Sequence, residues 1–144
     1  MATDLPPEKL RRIKSLAKFT DAELGEFLKF VDVTPCSRGT TLFVEGNPGD
    51  SMFLIVEGQL RVYSTKAGGE RVTLRMLQSG DAFGDLALFH NMNRTASVEA
   101  VTDSVLIQLS QAALQNLNAQ QSGIASKFLF ALASSLSPVY ATFQ

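Results

Sequence analysis

The stretch FGDLALFHNMNRTASVEA, from Phe83 to Ala100, holds residue types that could gather a small anion. Phe83 is expected to end a short strand, Gly84 lets the backbone turn, and Asp85-Leu86-Ala87-Leu88 can form one helical turn. Arg94-Thr95-Ala96-Ser97-Val98 is then expected to reopen as a strand. This layout aims backbone N–H groups, a helix start and a guanidinium at one point, where a small anion would meet both charge and directed donors. A buried anion needs such charge-assisted partners to offset its lost hydration. Arg94 is the candidate counter-ion, supported by the amides of Gly84 through Ala87.

Other chemistries have little to work with. His90 is the only histidine and Cys36 the only cysteine, so a multi-histidine metal centre, a zinc or iron–sulfur site and an internal disulfide lack ligands or partners. Cys36 is expected to be a buried strand residue. No carboxylate pair or nucleophile–histidine pair is evident, and binding a phosphate does not imply breaking it. The expectation is a binding protein rather than an enzyme, without metal or cofactor.

The chain of 144 residues is 45% hydrophobic and 19% charged, with a formal net charge of -1, as in an ordinary globular domain spanning 1–144. Lys9, Arg11, Arg12 and Lys14 read as the solvated face of a helix, so nucleic acid is not an expected partner. The opening residues lack a charged segment followed by an apolar core, and no run approaches the roughly 20 apolar residues of a membrane span. A cytoplasmic location is expected.

Three blocks must position the cradle. In 1–30, Leu10, Ile13, Leu16 and Ala17 fall at helical spacing, and Thr20 with Glu23 forms a capping box before Leu24, Phe27 and Leu28, which predicts two helices. In 31–109, β-branched and aromatic runs punctuated by glycine predict strands near 31–36, 41–44, 52–57, 59–65, 71–78, 95–101 and 104–109. That number of short strands suggests a β-barrel or jelly roll. In 110–144 two more helices are expected. Ser110 caps the first, and the second runs from about Ser122 to Ser135 with Ile124, Phe128, Leu132 and Leu136 on one stripe. Leu129, Phe130 and Ala133 widen that stripe, so the helix either packs between barrel and N-terminal helices or also faces a second subunit as a homodimer.

Gly46-Asn47-Pro48-Gly49-Asp50-Ser51-Met52-Phe53, Ile55-Val56-Glu57-Gly58, Gly80-Asp81-Ala82-Phe83-Gly84-Asp85-Leu86-Ala87-Leu88 and Arg94-Thr95-Ala96-Ser97-Val98 follow one another in order. With the helix, barrel and helix arrangement, they resemble the cyclic nucleotide-binding domain. That family includes the sensor domain of the catabolite activator, regulatory domains of cyclic nucleotide-dependent kinases and domains of cyclic nucleotide-gated channels. The resemblance covers nearly the whole chain and makes 83–97 its phosphate-binding segment.

The resemblance implies cAMP or cGMP as ligand, with Arg94 on the phosphate. It places Asp85 where the family usually has a glutamate that clamps the ribose 2′-hydroxyl. Aspartate is shorter by about 1.5 Å, so the hydroxyl is out of its reach, bridged to it by water or regained by a loop shift; alternatively Asp85 caps the short helix. Thr95 stands where cGMP-responsive kinase and channel domains carry threonine, and Arg75 where a guanine-contacting arginine occurs in a cGMP-dependent kinase domain. Arginine donors suit O6 and N7 of guanine, so cGMP is favoured over cAMP; otherwise Thr95 satisfies its own strand and Arg75 points to solvent. Val62, Val72, Leu74, Phe83, Leu86 and Ala96 are expected to line the pocket or the plain core. After Pro138 only Val139, Tyr140 and Phe143 could form a lid, so the lid is short, absent or supplied by another subunit.

Two functions are therefore carried forward. One is a regulatory module in which nucleotide binding repacks the C-terminal helix against a separate protein effector. The other is a scaffold that keeps the fold without binding nucleotide and offers Phe130 and its helix to a partner. The family's activators append a helix-turn-helix after the long helix, and this sequence ends before one would fit, so a separate effector or a longer parent chain is expected.

Overall fold

The computed structural model describes residues 5–90 and 92–141, with the backbone alone at Leu86 and over 136–141. One antiparallel sheet pairs β1 (Asp32–Cys36), β10 (Ser104–Ser110), β4 (Ser51–Glu57) and β7 (Ala82–Phe83), in that order. A second pairs β2 (Thr41–Phe43), β9 (Ser97–Ala100), β5 (Gln59–Thr65) and β6 (Arg71–Gln78). A ribbon joins β3 (Pro48–Gly49) to β8 (Met92–Asn93). This is the expected jelly-roll architecture with flanking helices, although the two sheets face each other without closing into a barrel.

The sequence of β4 explains the layering. Its residues are buried almost without interruption, and alternate side chains leave a strand on opposite faces. Phe53 and Ile55 enter the core between the sheets with Leu60, Leu77, Val98 and Leu106. Met52, Leu54 and Val56 enter a second core under the helices with Leu24, Phe27 and Phe128. The first sheet is therefore the middle layer of three.

The N-terminal block departs from the two expected helices. It forms α1 (Pro7–Leu10), a separate 3-10 turn (Lys14–Leu16) and α2 (Asp21–Leu28). The break falls at Ile13, whose backbone is extended, and the Lys14 N–H turns to the Gly80 carbonyl at 3.4 Å. Leu10, Ile13 and Leu16 are still buried, since a three-residue repeat also suits a 3-10 turn. The basic cluster is consequently not one solvated helical face: Lys9 pairs with Glu57 and Arg11 with Asp21. The Thr20 capping box is present, with Thr20 Oγ1 accepting from the Glu23 N–H at 3.2 Å and Glu23 Oε1 from the Thr20 N–H at 2.9 Å. Lys127 Nζ also donates to Glu23, at 2.7 Å, and ties α2 to the C-terminal helix.

Ser110 caps α4 (Gln111–Gln120), its Oγ accepting from the Ala113 N–H at 3.0 Å. The last helix, α5 (Ser122–Ala141), continues past the expected end at Ser135 and through Pro138. Ile124, Phe128 and Leu132 are buried and Leu129 packs against the same core, while Phe130 is 76% exposed. The side chains of Leu136, Val139 and Tyr140 and all of Phe143 lie outside the described residues. Among the described residues no helix is long and apolar enough to cross a membrane.

Phe128 is fully buried, its ring 5.3 Å from that of Phe27. Phe128→Ala is expected to cost about 3–5 kcal/mol of stability, read by urea denaturation. A loss below about 1 kcal/mol would show that this seam does not hold α5 in place.

Candidate functional site

Arg94 is only 9% exposed and sits in a bed that the sequence builds from several directions. Its Cζ lies 4.2 Å from the Phe43 ring centroid and 5.8 Å from that of Phe53, so the cation rests on aromatic faces. Phe83 stacks on Phe53 at 5.2 Å and completes the bed. Nη2 donates to the Ser51 carbonyl at 2.9 Å, the guanidinium's one hydrogen bond to protein among the described residues. No carboxylate among those residues forms an ion pair with it.

Two glycines make room for this group. A Cβ on Gly49 would fall 2.5 Å from Arg94 Nε, and one on Gly84 would fall 2.7 Å from Nη1. Gly84 also has φ +74°, a conformation side chains disfavour. The turn before Gly49 grips the arginine's backbone: the Arg94 N–H donates to the Asn47 carbonyl at 2.7 Å, and the Gly46 N–H to the Arg94 carbonyl at 2.8 Å. This grip explains why the strand expected from Arg94 begins only at Ser97, as β9. It also explains the unexpected two-residue strands β3 and β8, which pair Pro48 with Asn93 and Gly49 with Met92.

Burial pushes the Arg94 pKa down, while the negative charge of Asp50 acts in the opposite direction. A guanidinium remains protonated throughout the ordinary pH range. The site therefore holds a permanent positive charge, incompletely hydrogen-bonded among the described residues and largely withdrawn from water.

Arg94 forms part of the wall of an open cavity of about 560 Å³. Gly84, Asp85 and Ala87 lie along one side, with α3 (Leu86–Phe89) as the expected helical turn. The Ala87 N–H is used within that turn, donating to the Gly84 carbonyl at 3.2 Å, so it is not one of the amides left for a ligand. Phe83, Thr95, Ala96 and Val62 also line the cavity; Val72 does not, and the Leu86 side chain is outside the described residues.

Leu74 and Arg75 both reach the cavity although they are neighbours on a strand, where alternation would separate them. The pairing of β5 with β6 explains this: Val62 stands opposite Arg75 and Tyr63 opposite Thr73, so Leu74 is an extra residue in β6. A bulge of this kind re-aims side chains. Leu74 remains 56% exposed, which makes it a cavity wall rather than core.

Several residues of the site were not anticipated from sequence. Phe43 and Gly49 support the guanidinium, and Lys14, Ser15 and Ser135 close the cavity from the helix layer. The glycine in Gly46-Asn47-Pro48-Gly49 was a readable signal for close approach. The others depend on how distant segments meet.

The chain is similar to several known proteins. The family profile described as "Cyclic nucleotide-binding domain" matches residues 33–121. A CRP-like cAMP-activated global transcriptional regulator of Mycobacterium tuberculosis is 30% identical over 99 residues, covering 69% of this chain and 44% of the relative. A cGMP-dependent protein kinase of Caenorhabditis briggsae is 39% identical over 103 residues, covering 72% of this chain and 13% of the kinase. The chain thus spans less than half the length of either relative. The crystal structure of the N-terminal domain of a transcriptional regulator from Streptomyces coelicolor A3(2) superposes with TM-score 0.79 at 29% identity, covering 94% of this chain and 95% of that one. An arginine bedded beside a glycine-opened turn and a match through the whole jelly roll lead to one assignment: the chain belongs to the cyclic nucleotide-binding domain family.

Proposed function

We propose that this chain binds a cyclic purine mononucleotide in the cavity over Arg94 and uses that binding to regulate an effector. The observation that carries the reading is the buried guanidinium, whose Nη2 is held by Ser51 and whose remaining edge faces a cavity large enough for a nucleotide. The phosphate would sit on that edge and on amides that open the turn at Gly84. Asp85 lies on the same wall and would reach toward the ribose. Cavity walls formed by Val62, Leu74 and Phe83 would take the sugar and base.

Thr95 and Arg75 both line this cavity, which supports guanine over adenine: a hydroxyl and a guanidinium can meet the 2-amino group and the O6 and N7 acceptors. A path to an effector also begins here. The Ala87 carbonyl accepts from Gln111 Nε2 at 3.0 Å, and Leu88 is buried in the helix-layer core with Phe128. A ligand that preferred one setting of α3 would therefore bias the packing of α4 and α5.

Calorimetric titration with cAMP, cGMP and the linear monophosphates tests the reading, and failure of both cyclic forms to bind at millimolar concentration would leave the non-binding scaffold. Arg94→Ala is expected to weaken the cyclic nucleotide complex by about 100-fold or more, the worth of charge-assisted bonds to a phosphate. Unchanged affinity, in a variant whose circular dichroism is native, would put the phosphate elsewhere. Thr95→Ala should weaken cGMP more than cAMP, and equal losses would remove the case for guanine. Asp85→Glu adds about 1.5 Å of reach and should tighten the complex; a weaker one would mean the loop is already adapted to aspartate.

A further inference from the structure

A second cavity, of about 600 Å³, lies between the 3-10 turn and α5, apart from Arg94. Its chemistry is of two kinds. Phe19, Phe130 and Ala131 supply apolar surface, and Phe130 is exposed to 76%. Lys14, Lys18 and Lys127 supply positive charge, and no carboxylate lines the cavity among the described residues. Lys127 is engaged by Glu23 and lies 5.4 Å from the Phe19 ring, whereas Lys14 and Lys18 form no ion pair among the described residues. Ser15, 3% exposed, lines this cavity, and its Oγ is a buried polar atom with no hydrogen-bond partner among the described residues. An unpartnered buried hydroxyl is costly unless something completes it.

We propose that this cavity is a binding site for a small amphipathic anion, a carboxylate or phosphate head on an apolar body. The head would lie between the Lys14 and Lys18 ammonium groups. The body would lie along Phe130 and Phe19, where lysine methylenes extend the apolar wall. Covering Phe130 would remove a large aromatic surface from water, and the paired lysines would select the charged head over a neutral one. Lys14, Ser15 and Ser135 also line the Arg94 cavity, so the two sites share one wall but not the phosphate-holding arginine.

The test is titration of the whole chain with monomeric decanoate, followed by ¹H–¹⁵N shifts, beside decanol and vesicles containing phosphatidylglycerol. One-site saturation with shifts centred on residues 14–19 and 127–135 is expected. Lys18→Glu, at an exposed position, should weaken decanoate by about tenfold, and Arg94→Ala should leave it unchanged. Equal binding of decanol, shifts centred on 83–97, no saturation at millimolar decanoate, or binding to vesicles alone would each overturn the assignment.

Discussion

The candidate site is organised around an arginine that is held away from water with no ion pair to a carboxylate among the described residues. Withdrawing a full charge from solvent costs several kcal/mol unless partners replace its hydration. Here the replacements are partial: two aromatic rings, one carbonyl from Ser51 and the more distant charge of Asp50. Gly49 and Gly84 leave their Cβ positions empty so that the group fits. The site consequently holds a positive charge whose remaining hydrogen-bonding capacity is directed at a cavity, and an anion would complete what the protein leaves open.

The position of that charge relative to the two cores gives the site its reach. The arginine packs on Phe53, which belongs to the inter-sheet core, while the next residue of β4, Leu54, belongs to the core under the helices. The cradle turn divides in the same way, with Phe83 in one core and Leu88 in the other. A change at the turn is therefore felt in close-packed surroundings on both sides, where side chains cannot adjust smoothly. The hydrogen bond from Gln111 to Ala87 and the burial of Leu88 join the turn to the helix layer.

Much of this was legible in local sequence because it rests on interactions a few residues apart. The Thr20 and Glu23 pair specifies a helix start by satisfying two backbone donors within one turn. Ser110 does the same for α4. The apolar residues of 52–57 mark a strand, which the structure covers on both faces. Where local preference was overridden, a distant partner competed with it. The first helix breaks because Lys14 bonds to Gly80, and the strand at Arg94 is delayed because Gly46 and Asn47 take its backbone.

Sequence alone determined the residue types at the cradle, Gly84, Asp85 and Arg94, and the order of the elements that carry them, since chemistry and short-range periodicity are written residue by residue. Tertiary structure decided which donors remain for a ligand, with Nη2 taken by Ser51 and the Ala87 amide taken by Gly84. It also decided that Leu74 and Arg75 share a wall through a bulge in β6, and that Lys14 and Ser15 stand between two cavities. These outcomes depend on register and on the meeting of segments far apart in the chain. Such contacts are set by burying the two cores together rather than by any local pattern.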